Sequence, residues 1–493
     1  MWAVAGCGGG GGGDVGTPGV VTAPPDPTAG LVPSVSVAQH CAAPRAGDTR
    51  GTVADEKSWV RSWIDETYLW YRDVRGLPAA TLDASRYTSA TAYFAALKSA
   101  QTTASGKPRD QFHFIYDTPT WVALSQSGVS YGYGFDVELV SSVPPRQAVV
   151  AYTDPNTPAS ANGVNRGAQL LSVDGVDIAN GSDVATLNAG LFPTAAGPHV
   201  FTVRDVGAVN SRSVTLTAAA LVSPPVQNVK TLAPGNPDVG YMLFNDHLAA
   251  SEAPLIAAIN QLKAAGVRDL VLDIRYNGGG FLDIASELAY MIAGPGPTAG
   301  KVFEQASYND KNPFQLTTAQ RTTPFLTTSQ GFSAANGQAL PSLGLSRVFV
   351  LAGPGTCSAS EAIVNGLRGV GVQVKLIGEA TCGKPYGFYP TDNCNTTYFA
   401  IQFQGVNQIG FGDYADGFKP DCSASDDYAH ALGDPAEGRL SAALYLRTNG
   451  ACKAGAGASP GDSTALRVRV PADAAGLALQ RPAVRENRIY RGG

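Results

Sequence analysis

The order of hydrophobic and polar positions divides the chain into a helical start, a strand-rich middle and an alternating strand–helix region. Apolar residues recur at helical spacing over 59–71 and predict a helix with one buried face. A shorter helix is expected at 89–99, and strands are expected at 135–140, 200–203 and 213–216. Beyond residue 239, buried-strand patterns alternate with amphipathic helices, which is typical of a mostly parallel sheet covered by helices.

The stretch with the most chemical content is 347–384. An apolar run at 348–351 predicts a buried strand, Ser358 stands at the start of the helix that follows, and Lys384 comes just after a second strand at 374–377. In a strand–helix–strand unit the two side chains fall at the same end of the sheet, where open α/β folds keep their sites.

Each of these residues also has an ordinary structural interpretation. Ser358 followed by Glu361 is a capping box, and a lysine after a strand is usually a solvated charge. The chemical interpretation is that Lys384 activates the Ser358 hydroxyl, since burying a lysine disfavours its charged form and leaves an amine that accepts a proton. The amide of Ala359, in the first helical turn, would then face the negative charge that develops on a substrate carbonyl.

The motifs S-A-S-E at 358–361 and G-E-A-T-C-G-K at 378–384 resemble those of the C-terminal processing (tail-specific) serine peptidases. The resemblance implies that Ser358 is the nucleophile and Lys384 the general base, with Ser360 as the competing nucleophile. The interval between Ser358 and Lys384 is 26 positions, one more than is usual in that family. The run D-I-R-Y-N-G-G-G resembles the family's turn whose glycine amide is the second oxyanion donor. That donor is Gly279 here, with Gly278 as its rival.

The sequence departs from the family pattern around the lysine. Phe388 stands where some members carry a glutamine that orients the lysine, and Gly369 stands where some carry an aspartate. The resemblance therefore implies a Ser–Lys dyad and leaves the residue that orients Lys384 unassigned. The histidines show no motif spacing, and His247, near the first strand of the alternating region, is the one to examine for a Ser–His arrangement.

A second resemblance lies upstream. Residues 131–136, Y-G-Y-G-F-D, resemble the carboxylate-binding loop of PDZ domains, and residues 157–175 resemble the signature that follows it in the peptidase family. The implied binding residues are Tyr133, Gly134 and Phe135. Their backbone N–H groups would hold a C-terminal carboxylate while the bound peptide adds as a strand.

Together these patterns predict an α/β multidomain fold. It comprises a Gly/Pro-rich tether, an N-terminal helical segment, a PDZ-like β-rich domain, a ClpP/crotonase-like layered α/β catalytic domain and a C-terminal tail, at residues 1–40, 41–118, 119–222, 226–460 and 461–493. Residues 221–230 are expected to be a linker, 398–403 a single strand, and 306–346 an irregular insertion that covers the cleft.

The cysteines indicate export from the cytoplasm. V-A-G-C at 4–7 resembles a bacterial lipobox, which implies lipidation of Cys7 and a periplasmic or outer-membrane-anchored location in the cell envelope. A Gly-rich leader is the alternative. Six further cysteines predict disulfides. Cys357–Cys382 is expected because the two residues flank the Ser358/Lys384 pair, and Cys394–Cys422 and Cys41–Cys452 are the other two predicted pairs.

Composition narrows the function classes. A net charge of −5 with 15% charged residues argues against nucleic acid as a partner. The absence of C-x-x-C and of a P-loop argues against zinc and nucleotide, so no metal or cofactor is expected.

The predicted function is a serine endopeptidase that cuts proteins recognised through their C-termini by the PDZ domain. Alternatives are a catalytically inactive PDZ scaffold or adaptor of the cell envelope and a crotonase-type enzyme acting on thioesters. The Ser358/Lys384 pair argues against an inactive scaffold, and the PDZ unit argues against a thioester enzyme.

Overall fold

The structure, a computed structural model, describes residues 30–453, together with Thr28, Leu479 and the backbone of Arg488–Ile489. Cys7, the predicted lipidation site, lies outside the described residues. None of the helices in these residues is long and apolar enough to span a lipid bilayer.

The N-terminal segment is built around one amphipathic helix. Thr52 and Asp55 form a capping box at its start, and the helix ends at Thr67 because Tyr68 turns to an extended conformation. Trp59 and Trp63 stack with ring centroids 5.2 Å apart and pack in the main hydrophobic core. The elements of this segment are β1 (His40–Cys41), β2 (Thr49–Arg50), α1 (Val53–Thr67), α2 (Tyr71–Arg75), α3 (Ala79–Leu82), α4 (Ala90–Ala96), β3 (Phe114–Asp117) and α5 (Thr118–Ser127).

The β-rich domain forms a second unit with a hydrophobic core of its own. Its antiparallel sheet has the order β4-β10-β9-β7-β6-β5, so β5 is an edge strand. The elements are β4 (Val129–Gly132), β5 (Phe135–Ser141), β6 (Gln147–Thr153), α6 (Pro158–Ala161), β7 (Gln169–Val173), β8 (Val176–Asp177), α7 (Val184–Leu191), β9 (Gly197–Arg204) and β10 (Arg212–Val222).

The α/β domain follows and carries the predicted site. Its elements are β11 (Val226–Leu232), β12 (Asn236–Phe244), α8 (Glu252–Ala264), β13 (Asp269–Asp273), β14 (Gly280–Phe281), α9 (Leu282–Ala293), α10 (Pro295–Thr298), β15 (Val302–Tyr308), β16 (Thr322–Pro324), β17 (Arg347–Ala352), α11 (Ala359–Gly369), β18 (Gln373–Gly378), β19 (Tyr386–Gly387), β20 (Thr391–Asn393), β21 (Thr396–Phe399), β22 (Phe403–Val406), β23 (Cys422–Ser423), α12 (Gly438–Asn449) and β24 (Arg488–Ile489). Short 3₁₀ turns lie at Ser34–Ser36, Ala84–Arg86 and Ala249–Ser251.

The central sheet of the α/β domain has the order β11-β12-β13-β17-β18-β23 and is parallel from β12 onward. Both faces are covered, as parallel sheets require. Helices α8, α9 and α11 share the main core on one face, whereas Leu440 and Ala443 of α12 belong to a separate core on the other. The mixed α/β multidomain architecture predicted from the sequence is confirmed.

Two local predictions were wrong. Residues 221–230 are not a linker, because β10 runs to Val222 and β11 already begins at Val226. The single strand expected at 398–403 is two strands, β21 and β22. Between them the backbone changes partners: Ile401 C=O accepts from Leu69 N–H, and Gln402 N–H donates to Gly387 C=O.

Three disulfides form among the described residues, and one of them was predicted correctly. Cys357–Cys382 is confirmed. The pairs Cys394–Cys422 and Cys41–Cys452 are wrong, since Cys41 bonds Cys394 and Cys422 bonds Cys452.

Two packing contacts explain the observed pairing. Gln39 donates its N–H to Asn393 Oδ1 and accepts from Cys394 N–H, which brings β1 to the hairpin turn between β20 and β21. Cys422 lies in the edge strand β23, which pairs with β18, and Cys452 lies just beyond the end of α12, which packs against β17 and β18.

The insertion at 306–346 is held down by a buried pair of carboxyl groups. Glu252 accepts backbone N–H groups from Gln330, Gly331, Ser333 and Ala334. Burial and the neighbouring charge of Glu252 raise the pKa of Glu287 to about 9. Glu287 is therefore protonated at neutral pH in the folded protein.

This arrangement predicts a pH-dependent stability. The unfolded chain releases the Glu287 proton near the ordinary glutamate pKa, whereas the folded chain keeps it up to about pH 9. Stability should therefore fall as pH rises between these values, by up to about 1.4 kcal/mol per pH unit. Glu287→Gln, which mimics the protonated form, should flatten a plot of melting temperature against pH. Equal slopes for wild type and Glu287→Gln would contradict the assignment.

A contrasting variant tests the partner. Glu252 carries a carboxylate that several backbone N–H groups stabilise, and these bonds hold its pKa below the ordinary value against the effect of burial. Glu252→Gln weakens those bonds and removes a charge that raises the pKa of Glu287. We therefore expect a lower melting temperature at every pH, and a narrower pH range over which stability falls.

Candidate active site

Ser358 lies in a tight turn between β17 and α11. Thr356 ties this turn to the neighbouring strand, because its hydroxyl accepts from Gly353 N–H and donates to Ile274 C=O. Cys357 N–H donates to Asn277 C=O. Ser358 itself has a φ of 61°, in the left-handed region that non-glycine residues rarely adopt. Such conformations cluster at functional sites.

The Ser358 hydroxyl does not serve as a helix cap. Half of the predicted capping box is present, since Ser358 N–H donates to Glu361 Oε2 at 3.0 Å. The other half is missing: Ser358 Oγ is buried and makes no hydrogen bond within the described residues. Buried hydroxyl groups are nearly always bonded, so this one needs an explanation other than capping.

Glu361 joins the serine turn to the lysine turn. Its Oε2 accepts from Ser358 N–H and from Lys384 N–H, at 3.0 and 2.8 Å, and its Oε1 accepts from Gly383 N–H and the Thr381 hydroxyl. Burial raises the pKa of Glu361 above its ordinary value, against these bonds, which lower it. One buried carboxyl group therefore holds the two backbone segments side by side.

The Cys357–Cys382 disulfide makes a second link between the same turns, with 5.2 Å between the Cα atoms. The two sulfurs and a Glu361 oxygen lie within 4.8 Å of one another. Because both sulfurs are used in the disulfide, these three groups are not a set of metal ligands.

Lys384 is fully buried, and its side chain ends between aromatic rings. Its Nζ lies 4.7 Å from the ring centroid of Phe112 and 4.4 Å from that of Phe388. Phe388 thus contacts the lysine from the position where some relatives carry an orienting glutamine. Phe112 comes from the N-terminal segment, where Asp110 accepts its N–H, so that segment helps to build the pocket.

The Gly-rich turn after β13 lies next to the serine turn. Asn277 Oδ1 accepts from Gly279 N–H at 2.9 Å and contacts His247 Nδ1 at 3.0 Å, while Ser360 Oγ donates to Asn277 C=O. Burial lowers the pKa of His247 to about 3, against its hydrogen bond with Asn277. The imidazole is therefore neutral, and its visible role is to hold Asn277 and the turn.

Gly280 is the residue of this turn whose backbone forms a parallel bridge with His247. The two residues that flank Gly280 are hydrogen-bonded to the His247 backbone on one side of the chain. Phe281 N–H donates to His247 C=O, and His247 N–H donates to Gly279 C=O. The N–H and C=O of Gly280 consequently point to the opposite side. A Cβ at Gly280 would lie 2.4 Å from the His247 carbonyl oxygen, so only glycine fits.

A buried charge network joins this turn to the β-rich domain. Arg275 is fully buried and pairs with Asp273, Asp426 and Glu437 at 2.7–2.9 Å. Burial by itself would lower the pKa of Arg275, but these carboxylates raise it well above the ordinary value. Arg166 of the β-rich domain bonds Asp426 at 2.6 Å and the Tyr276 hydroxyl at 2.6 Å.

The predicted carboxylate loop lies in the β-rich domain between β4 and β5. Tyr133 is buried, and its hydroxyl donates to Gly190 C=O. Gly134 has a φ of +85°, and a Cβ there would lie 2.2 Å from the Thr157 side chain. Phe135 starts the edge strand β5, so an added strand could pair with this sheet.

The structure thus holds the buried turns of Ser358, Ala359 and Lys384 side by side, with the Gly-rich turn next to them. Phe112 and Glu361 were not predicted as parts of this site, and His247 was singled out only for a Ser–His arrangement. Glu361 was visible only as a capping residue, and no local signal links Phe112 to a lysine so far along the chain.

Comparisons with known proteins point to the same stretch of the chain. Residues 238–422, which include both turns, match the family model described as Peptidase family S41. The chain carries a peptidase family S41 domain. It holds Ser358, Lys384, Glu361 and the Gly-rich turn.

Two curated relatives are carboxyl-terminal-processing proteases. The protein of Picosynechococcus sp. is 28% identical over 271 residues, which cover 53% of this chain and 56% of that protein. The protein of Synechocystis sp. is 26% identical over 231 residues, which cover 46% of this chain and 47% of that protein. The chain therefore spans about half the length of the curated relatives it matches.

A solved structure supports the fold. A Bacteroides fragilis protein assigned to the S41 proteases superposes with a TM-score of 0.60 at 24% identity, covering 79% of this chain and 97% of that protein. The resemblance of the overall architecture thus extends beyond the S41 domain.

Proposed function

We propose that this protein is a serine endopeptidase in which Ser358 is the nucleophile and Lys384 the general base. The observation that carries the proposal is the Ser358 hydroxyl: it is buried, without a hydrogen bond in the described residues, in a strained turn that Glu361 and a disulfide hold against the Lys384 turn. A structural serine at a helix start would cap the helix.

The chemistry follows from these positions. The neutral amine of Lys384 takes the hydroxyl proton while Ser358 Oγ attacks the carbonyl carbon of the scissile peptide bond. The Ala359 N–H, in the first turn of α11, faces the resulting oxyanion. The C–N bond then breaks, the leaving amine takes the proton, and water hydrolyses the acyl ester on Ser358.

The second oxyanion donor is assigned to the Gly-rich turn. Gly279, implied by the family resemblance, donates its N–H to Asn277 in this structure, so this bond must give way for Gly279 to act. The amide of Gly280 faces the cleft and is suited to bind an extended substrate backbone.

A covalent probe tests the nucleophile. A fluorophosphonate should label the wild-type protein at one serine, and peptide mass spectrometry should locate the label on Ser358. Labelling of Ser360 instead would move the nucleophile by two residues along the chain, and absence of labelling would reject a reactive serine at this site.

We also propose that the β-rich domain is a PDZ domain that recognises substrate C-termini through Tyr133, Gly134 and Phe135. A free C-terminal carboxylate would accept from the backbone N–H groups of this loop, and the peptide would extend the sheet at β5. A peptide with a C-terminal amide lacks that charge, so it should bind about tenfold more weakly or worse. Equal affinity of the two peptides would exclude carboxylate recognition.

A pair of glycine variants serves as the matched test of this loop. Gly134→Ala places a methyl group against Thr157 at a positive φ and should abolish the preference for a free carboxylate. Gly132→Ala is the control, because its nearest neighbour would be 4.0 Å away.

The three disulfides favour an oxidising compartment. We therefore place the protein in the cell envelope, periplasmic or anchored to the outer membrane through a lipid on Cys7. Unfolded or misprocessed envelope proteins are then the substrate class that this combination of domains suits.

A further inference from the structure

A short strand near the end of the sequence pairs with the strand that follows the Gly-rich turn. Arg488–Ile489 (β24) runs parallel to Gly280–Phe281 (β14), with Arg488 opposite Gly280 and Ile489 opposite Phe281. The same strand lies close to Tyr386–Gly387 (β19). β14 follows the Gly-rich turn, and β19 begins two residues after Lys384. The tail strand therefore runs between the two elements that border the predicted reaction centre.

The tail is held there through the backbone. The polar groups of Gly280 that His247 leaves unused point towards β24. In parallel pairing with this register, Gly280 C=O accepts from Ile489 N–H. An extended polypeptide of any sequence offers the same groups, so the tail takes the place that the backbone of a bound substrate needs.

A second contact anchors the tail on the β-rich domain. Leu479 is only 4% exposed and packs in the core of that domain. Its N–H donates to Ser142 C=O at 3.0 Å, directly after the edge strand β5. The tail thus contacts both the domain proposed to dock substrates and the domain proposed to cut them.

We propose that this C-terminal segment is an intramolecular inhibitor that occupies the substrate cleft of the S41 domain; the inference rests on the peptidase function proposed above. Backbone pairing over only two residues, as between β24 and β14, binds weakly on its own. Tethering gives it an effective concentration in the millimolar range, which is enough to compete with a dilute substrate. A substrate that docks at β5 and displaces Leu479 would weaken this competition.

A truncation tests the inhibition. A variant that ends at Glu486 lacks β24 and keeps Leu479. At substrate concentrations below KM, we expect it to hydrolyse unfolded casein about fivefold faster than the full chain, or more. A synthetic peptide of residues 484–493 should inhibit the truncated protein by raising KM without changing kcat. The same peptide N-methylated at Ile489 should inhibit about tenfold more weakly, because it lacks the donor to Gly280.

Two results would overturn the inference. Equal initial rates for the full and truncated chains would show that the tail does not compete with substrate. Intact-mass measurements in which wild type loses residues beyond 486, while Ser358→Ala keeps them, would show that the tail is a substrate rather than an inhibitor.

A binding measurement separates this inference from the peptidase proposal. In the Ser358→Ala background, the fluorescent 484–493 peptide should bind the truncated chain at least about tenfold more tightly than the full chain. If this difference is found but wild type cuts nothing, the peptidase proposal fails and occupancy of the cleft stands. If hydrolysis is found but the two affinities are equal, the tail inference fails alone.

Discussion

Ser358→Ala is expected to abolish hydrolysis of unfolded proteins, with a loss on the order of 10⁴-fold or more, because it removes the only atom proposed to attack the substrate. The same substitution should leave the melting temperature unchanged or slightly higher. The hydroxyl is buried and makes no hydrogen bond in the described residues, so its removal takes away an unsatisfied polar group. Replacing a capping serine by alanine lowers stability, whereas replacing an unbonded, catalytic serine should leave stability unchanged or raise it.

Ser360→Ala is the matched control. Ser360 is also buried, lies on the same helix and donates its hydroxyl to Asn277 C=O at 2.9 Å. Its loss should lower stability by about 1 kcal/mol while most of the activity remains. If Ser358→Ala kept activity and Ser360→Ala lost it, the nucleophile would have to be reassigned to Ser360.

Lys384→Met is expected to reduce kcat by about 10³-fold, because methionine fills the same narrow space and cannot accept a proton. The amine is fully buried between Phe112 and Phe388, so replacing it with an apolar side chain of similar length should not lower the melting temperature. Wild-type activity should rise with pH, since the reaction requires the unprotonated amine.

Lys375→Met provides the comparison for this variant. Lys375 lies in β18 of the same sheet and is only partly buried, so its loss should leave kcat nearly unchanged. A Lys384→Met protein with more than a tenth of wild-type kcat, or a wild-type rate that does not vary from mildly acidic to alkaline pH, would show that another group acts as base.

Glu361 and the charge network around Arg275 stabilise different parts of the site. The hydrogen bonds of Glu361 are to backbone N–H groups and to Thr381, so this carboxyl group acts on position rather than on the proton transfer itself. The charged groups Arg275, Asp273, Asp426 and Glu437 form a separate network, which Arg166 connects to the β-rich domain. The Tyr276 hydroxyl, which accepts from Arg166 and donates to Asp426, ties this network to the residue that precedes the Gly-rich turn.

Much of the site could be predicted because its parts are close in sequence. β17, α11 and β18 form one strand–helix–strand unit, and such units connect neighbouring parallel strands. This places Ser358 and Lys384 at the same end of the sheet and brings Cys357 to Cys382. Motif identity and local periodicity were sufficient for these elements and for the resemblance to C-terminal processing peptidases.

The remaining features depend on contacts between distant parts of the chain. Whether the Ser358 hydroxyl caps its helix or stays unbonded is decided by the positive φ of its turn, and the sequence S-A-S-E is compatible with both outcomes. Phe112 reaches Lys384 only because the N-terminal segment packs into the core of the S41 domain. The pairing of Cys41 with Cys394 and the position of Arg488–Ile489 beside Gly280 follow from the same tertiary packing. The sequence by itself determined which residues stand in the two turns and that the turns are neighbours, because local patterns govern a strand–helix–strand unit. The fold decided what surrounds them, because such contacts arise only when whole segments are packed together.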